Sequence, residues 1–193
     1  SDSNTYIIGT SQMGKTTMLQ TMIYQMIDMY TPDEVNIYIV DCGNMALRPF
    51  AAANHVGGVA VGAEEERVKN LFKMVRKEIL QRKKRLMEQG VGTHKAYIEA
   101  GFRDLPHLVF IIDNYAAFKE LFEPLENDIT AFSREGQSVG LTMIVTSAHS
   151  NSLGYRSSAN FGTKIALTCN DSSEYSNLFD RCKTEPKEIP GRG

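Results

Sequence analysis

The sequence predicts an α/β fold in which a mostly parallel β-sheet is flanked by helices. The chain opens with a β-prone run at residues 5–8, a helical pattern at 18–30 and a second β-prone run at 35–40. A strand, a helix and a strand in this order begin a parallel sheet. Residues 107–112 are almost continuously apolar and residues 141–147 follow a similar pattern, which is typical of strands that are buried on both faces of such a sheet.

The longest predicted helix covers residues 64–88. Its apolar side chains recur at helical spacing and form one stripe: Val68, Leu71, Phe72, Val75 and Ile79. Glutamates open this helix and basic residues lie late in it, which matches the helix macrodipole. The basic run at 82–85 is either a nucleic-acid contact or a solvated helix end, and the dipole match favours the second. Further strands and helical segments are expected at 56–61, 90–101, 115–122, 125–132, 164–168 and 171–179.

Length and composition predict one globular domain over residues 1–193. The chain has 193 residues, of which 42% are hydrophobic and 23% charged, and both fractions are ordinary for a globular protein. The net charge of −2 gives no general attraction to nucleic acid or anionic lipid. The cysteines Cys42, Cys169 and Cys182 lack the spacing of metal ligands and indicate a reducing compartment. No apolar run reaches membrane-spanning length, and both chain ends look arbitrary, so we expect a piece of a longer protein.

The stretch at residues 9–17 fits the phosphate-loop pattern G-x-x-x-x-G-K-[ST]. Its residues are Gly9, Thr10, Ser11, Gln12, Met13, Gly14, Lys15, Thr16 and Thr17. The two glycines let the backbone curl so that successive N–H groups point at a phosphate chain. Lys15 would reach the outer phosphates as a point charge, and Thr16 would offer its hydroxyl to Mg²⁺. The helix that follows adds its own partial positive charge to this anion site.

Asp113 ends a hydrophobic strand downstream of the phosphate loop, which is the Walker B arrangement that holds Mg²⁺ through water. Asn114 occupies the next position, where many ATPases of this type place a glutamate that activates water. An amide side chain accepts no proton at neutral pH, and general-base catalysis typically contributes roughly 10²–10⁴-fold. The two motifs therefore predict that ATP and Mg²⁺ bind and that hydrolysis is slow. A strand-end acid with only a capping role is the alternative for Asp113.

Thr146 and Ser147 end the strand after Asp113 and are candidate sensors of the γ-phosphate or the attacking water. Either hydroxyl could instead satisfy the backbone of the following loop. Candidates for an arginine finger are Arg134, Arg156 and Arg181, although an ordinary surface position is the expected role of each. The four histidines show no spacing typical of metal ligands.

These motifs resemble the FtsK/SpoIIIE family of hexameric motor ATPases and, more narrowly, the tandem ATPase domains of the EssC/EccC family of type VII secretion motors. The matching stretches are residues 9–17, 40–43, 47–50, 55–58, 82–90, 108–115, 140–146, 161–164 and 190–193. The phosphate loop is common to many NTPases. The resemblance is narrowed by LRPF at 47–50, by HVGGV at 55–59 and by the closing PGRG.

The resemblance implies a RecA-like P-loop NTPase fold with ATP and Mg²⁺ as cofactors. It favours the C-terminal, third ATPase domain of such a motor, on the cytoplasmic side of a cell-membrane protein. The implied partners are neighbouring ATPase domains of the same chain, other copies of the motor in a hexamer, and small secreted helical substrates of the WXG type. The closing PGRG also implies that the family fold continues beyond residue 193.

Two departures from the family pattern indicate a degenerate domain. Asn114 replaces the family's catalytic glutamate, and residues 147–149 read Ser-Ala-His where active members carry amide and arginine side chains. The resemblance therefore implies weak or regulatory ATP hydrolysis. A DNA-translocating domain of the same family and a catalytically inactive interaction module are the alternatives. The near-neutral charge argues against a robust DNA motor, because DNA affinity depends on many contacts with phosphates.

Overall fold

A computed structural model describes residues 3–179, 185–186 and 189–190 of the chain. Within these residues, six strands form one sheet in the order β3-β2-β4-β5-β1-β6, and every neighbouring pair is parallel. The strands are Thr5–Ile8 (β1), Val35–Asp41 (β2), Val56–Val61 (β3), His107–Asp113 (β4), Leu141–Ser147 (β5) and Thr163–Ala166 (β6). The α/β prediction is confirmed, and the described part of the sheet is wholly parallel.

Helices and 3-10 turns lie between consecutive strands, and one helix follows β6. They are Lys15–Met29 (α1), Glu65–Glu88 (α2), His94–Glu99 (α3), Tyr115–Leu121 (α4), Glu126–Glu135 (α5), Gly154–Ser158 (α6) and Ser173–Leu178 (α7), with 3-10 turns at Arg48–Ala52, Glu123–Leu125 and Gln137–Val139. The helices predicted from sequence are confirmed to within a few residues at their ends. Helix α6 was not predicted, because its short, serine-rich segment carries no apolar periodicity.

The core lies on both faces of the sheet. Along the strands, alternate side chains belong to different apolar clusters: Ile7, Ile39 and Ile111 pack with α1, whereas Tyr6, Val40 and Ile112 pack with α2, α4 and α5. Because the central strands are covered on both sides, their sequences read as continuous apolar runs. The apolar stripe predicted for α2 faces the second of these clusters.

The basic run in α2 is occupied by contacts within the chain. The prediction of a solvated end is wrong for Arg82, which is only 2% exposed and donates to Glu78 Oε1, Val139 O and Pro106 O at 2.8, 3.1 and 2.7 Å. The other three cations form ion pairs: Lys83 with Glu135, Lys84 with Glu88, and Arg85 with Asp104. These partners weaken the case for a nucleic-acid contact.

Some sequence predictions concern residues beyond this description. Arg181, Cys182 and residues 191–193 lie outside the described residues. Among the helices that are described, none is both long enough and apolar enough to cross a bilayer.

Candidate functional site

The phosphate loop lies at the carboxyl ends of β1, β5 and β6. Gly9 N–H donates to Ser147 O at 3.2 Å, and Thr10 N–H donates to Thr168 O at 2.8 Å. Gly9 is buried, and a Cβ at this position would lie 2.9 Å from Leu167 Cβ. The loop is therefore held from two neighbouring strands, and its first residue has room for glycine only.

The start of α1 is open to an anion. Gly14 is the residue before the helix and adopts a left-handed conformation with φ 97°. Glycine has no side chain that could cap the helix, and the first turn carries no acidic side chain. The first N–H groups of the helix and its dipole therefore face the loop without a competing carboxylate. Gln12 also has a positive φ, 66°, which is uncommon for a residue other than glycine and turns the exposed tip of the loop.

Lys15 folds back into the loop. Its Nζ donates to Gly9 O at 2.5 Å and to Thr10 O at 2.9 Å. Burial lowers the pKa of Lys15, while the nearby Asp113 carboxyl group opposes that shift. The structure thus places a partly desolvated cation at the centre of the loop, as a phosphate site requires.

Asp113 joins the loop to the end of β5. Thr16 Oγ1 donates to Asp113 Oδ2 at 2.9 Å, and Thr146 Oγ1 donates to Asp113 Oδ1 at 2.5 Å. The Asp113 side chain is almost fully buried, and this desolvation raises its pKa. The hydrogen bonds from Thr146 and Thr16 and the charge of Lys15 act in the opposite direction, and the nearby Asp41 reinforces the rise. Thr16 and Asp113, the predicted Mg²⁺ ligands, therefore lie together.

Asp41 is a second buried carboxylate that sequence reasoning missed. It ends β2 as Asp113 ends β4, and the register of the two strands places these residues opposite each other. Its oxygens accept the backbone N–H groups of Gly43 at 2.9 Å and Leu47 at 3.0 Å. Asp41 therefore shapes the loop beside the site. Two acids that each end a strand were visible in the sequence, but the strand order that makes them neighbours was not.

Asn114, at the position where the sequence led us to expect a base, is the residue directly before helix α4. Its φ is 64°, a left-handed conformation that asparagine tolerates better than most residues. Its side-chain Oδ1 accepts Ala117 N–H at 3.4 Å, and its Nδ2 donates to Cys42 O at 3.3 Å. The Asn114 N–H donates to Thr146 Oγ1 at 2.9 Å. The amide therefore caps α4 and ties it to the end of β2.

The remaining candidates for a sensor or an arginine finger lie in different parts of the structure. Ser147 Oγ donates to Ser152 Oγ at 2.7 Å, so this hydroxyl is used within the following loop and Thr146 is the one directed at Asp113. Arg134 is exposed and pairs with its neighbour Glu135 at 2.6 Å, and Arg156 is exposed on α6. The described residues contain no cluster of three or more His, Cys, Asp and Glu side chains that could hold a metal ion. A cation at this point would be held by Asp113 and Thr16.

A separate cavity lies at the amino ends of the strands, opposite the phosphate loop. Its volume is about 1000 Å³, and its lining includes residues at the amino ends of strands and the methionines of α1: Thr5, Val35, His107, Met22, Met26 and Met29. The phosphate loop does not line it. The phosphate-loop site and this cavity are therefore separate parts of the molecule.

Comparisons with known proteins agree with this geometry. The profile of the FtsK/SpoIIIE family matches residues 1–180. The ESX secretion system protein EccC of Geobacillus thermodenitrificans is 31% identical over 191 residues, which are 99% of this chain and 13% of that protein. The solved structure of EssC (ATPases 2 and 3) from the same organism covers 100% of this chain and 37% of its own, with a TM-score of 0.94 and 31% identity.

A further solved structure is that of Thermomonospora curvata EccC (ATPases 2 and 3) in complex with a signal sequence peptide. It covers 89% of this chain and 32% of its own, with a TM-score of 0.84 and 26% identity. The chain spans about an eighth of the length of the curated relatives, given the 13% share. The fold, the phosphate loop and the family profile together show that this chain has a P-loop NTPase fold and belongs to the FtsK/SpoIIIE family.

Proposed function

We propose that this chain is the ATP-binding motor domain of a type VII protein secretion system, with weak or regulatory ATP hydrolysis. The observation that carries the proposal is the open start of α1, with Lys15 in the loop and the Thr16–Asp113–Thr146 chain beside it. These four polar side chains lie at or beside the start of a helix that offers N–H groups to an anion.

Each residue of the site has a distinct role in this proposal. The N–H groups of residues 14–17, where α1 starts, bind the phosphates, and Lys15 neutralises their outer charge. Thr16 and Asp113 would hold Mg²⁺. Mg²⁺ bound with ATP supplies charge neutralisation of the phosphate chain. The Thr146 hydroxyl orients Asp113 through its 2.5 Å bond and acts as the sensor.

Slow hydrolysis follows from Asn114. Its side chain caps α4 and accepts no proton at neutral pH, so no carboxylate directly follows Asp113. Without a positioned base, the rate would lack a factor of roughly 10²–10⁴. This proposal makes the domain a nucleotide holder with slow turnover.

The wider setting of the domain is proposed from its relatives. We infer that residues 1–193 belong to one ATPase domain, the third in a chain that carries neighbouring ATPase domains and is anchored in the cell membrane. The solved relatives that contain ATPases 2 and 3, one of them with a signal sequence peptide, support this setting. The proposed partners are those neighbouring domains, further copies in a hexamer, and small helical WXG-type substrates.

The decisive test is ATP binding by wild type and by Lys15→Ala, measured by calorimetry with Mg²⁺. We expect wild type to bind and Lys15→Ala to lose measurable binding, because a charged hydrogen-bond donor is removed from the phosphate site. Lys73→Ala, an exposed lysine on α2, is the matched control and should bind like wild type. An intact wild-type protein that shows no binding at millimolar ATP would refute the nucleotide site.

A catalytically inactive interaction module is the second candidate function, and Asn114 is the observation that favours it. The motor domain and the interaction module can both bind ATP, and they differ in whether they hydrolyse it. Phosphate release by the purified domain separates them: slow but measurable turnover, lost in Lys15→Ala, supports the motor domain. Turnover equal to that of Lys15→Ala supports the module.

A further inference from the structure

Helix α7 contacts both chain segments that hold the start of the phosphate loop. Ser147 is the last residue of β5, its carbonyl accepts from Gly9, and the segment after β5 begins with the next residue. The segment after β6 carries Thr168, whose carbonyl accepts from Thr10. Side chains of α7 bond to each segment within three residues of these carbonyls, so the helix bridges the two supports of the loop.

Glu174 makes the contact on the β5 side. His149 Nδ1 donates to Glu174 Oε1 at 2.8 Å, and Ser150 N–H donates to Glu174 Oε2 at 2.7 Å. Only 15% of the Glu174 side chain is exposed. Burial disfavours its ionised form, but the hydrogen bonds from Ser150 and His149 outweigh burial and lower the pKa of Glu174. Both carboxylate oxygens are therefore committed to this one segment.

Tyr175 makes the contact on the β6 side. Its buried hydroxyl accepts Cys169 N–H at 2.7 Å, directly after Thr168 in the chain. Two consecutive residues of α7 thus fix the two segments on which the loop depends.

The segment after β5 needs this support. Ser152, a residue of this segment, accepts a hydrogen bond from Ser147 Oγ at the end of β5. Besides the Glu174 carboxylate, Tyr6 OH contacts the segment and donates to His149 O at 2.6 Å. These contacts come from other elements of the fold, so the position of the segment depends in part on Glu174.

We propose that Glu174 is a positioning residue for the phosphate loop, acting through the segment after β5. Its carboxylate fixes His149 and Ser150, which keeps Ser147 O in place to accept Gly9 N–H. The functional meaning of this inference rests on the proposed nucleotide binding, but the contact itself can be tested without nucleotide.

The test compares amide hydrogen exchange of Gly9 and Thr10, followed by NMR without nucleotide, in wild type, Glu174→Ala and Glu174→Gln. In Glu174→Ala we expect Gly9 to exchange roughly tenfold faster, because two hydrogen bonds to a charged acceptor are removed. In Glu174→Gln we expect exchange within about threefold of wild type, because the amide oxygen still accepts Ser150 N–H. Glu66→Ala, at an exposed acid of α2, is the control for loss of a surface charge.

Affinity provides the second readout. Glu174→Ala should bind Mg-ATP roughly tenfold more weakly, with Glu174→Gln close to wild type. Wild-type Gly9 exchange in Glu174→Ala would overturn the inference, and so would a Gln variant that exchanges as fast as the Ala variant. Failure of wild type to bind ATP would instead refute the proposed function and leave the exchange result to decide the role of Glu174.

Discussion

We expect Asn114 to affect both the stability of the fold and the rate of the proposed ATP hydrolysis. Substitutions at this position can separate the two effects. The structure gives Asn114 a left-handed backbone and a weak cap of α4 through the 3.4 Å contact of Oδ1 with Ala117 N. Alanine in a left-handed conformation costs about 1–2 kcal/mol. Loss of a long cap bond adds about 0.5 kcal/mol, the low end of capping effects. We therefore expect Asn114→Ala to lower the free energy of unfolding by about 2 kcal/mol.

Glycine and glutamate complete the series. Asn114→Gly loses the cap but adopts the left-handed conformation freely, so we expect a loss of only about 0.5 kcal/mol. Asn114→Glu should lose about as much stability as Asn114→Ala, because both place a strained L-residue there. Urea unfolding without nucleotide measures all three. Equal stabilities of the alanine and glycine variants would refute the backbone argument.

The same series tests the proposed slow hydrolysis. Asn114→Glu supplies a carboxylate that can accept a proton from water, so we expect phosphate release to rise at least roughly tenfold over wild type. Asn114→Ala has a similar cost in stability without a base and should show no rise. A glutamate variant that binds ATP but turns over at the wild-type rate would contradict the explanation by a missing base.

Two further predictions use buried charges. Asp113→Asn should abolish Mg²⁺-dependent ATP binding yet increase the free energy of unfolding at pH 7. The pKa of Asp113 is raised in the fold, so its ionisation costs stability as pH rises above about 3.9. The gain in stability of the asparagine variant should therefore vanish below that pH in urea titrations. A variant that is less stable than wild type at pH 7 would contradict this. Arg82→Met should lower the free energy of unfolding by about 3 kcal/mol, because Val139 O and Pro106 O lose their buried donor. Lys84→Met at an exposed ion pair should cost less than about 0.5 kcal/mol, and equal losses for the two variants would refute the role of burial.

The strands and the phosphate loop could be predicted because their signals are local. A strand covered on both faces must be apolar at nearly every position, so β4 was recognisable from residues 107–113 alone. The loop likewise depends on glycines at fixed spacing, followed by Lys15 and Thr16 at the helix start. The two motifs assigned both Thr16 and Asp113 to Mg²⁺, and the 2.9 Å contact between these side chains agrees with that assignment.

Residues whose role depends on partners distant in sequence were not predictable. Arg82 belongs to a basic run, but only its neighbours on other elements show that it is a buried donor to two carbonyls. The role of Asn114 as a cap in a left-handed turn requires a backbone angle that the residue type permits but does not specify.

The sequence by itself determined an α/β fold with a phosphate loop, an acid at the end of a buried strand, and an amide in the place of a base. Tertiary structure alone decided the strand order, which sets Asp41 opposite Asp113, and the packing of α7, which brings Glu174 to the segment that supports Gly9. The physical reason is separation along the sequence. Backbone conformation and burial patterns depend on neighbouring residues, whereas these contacts join positions dozens of residues apart. Only the packed sheet brings those positions together.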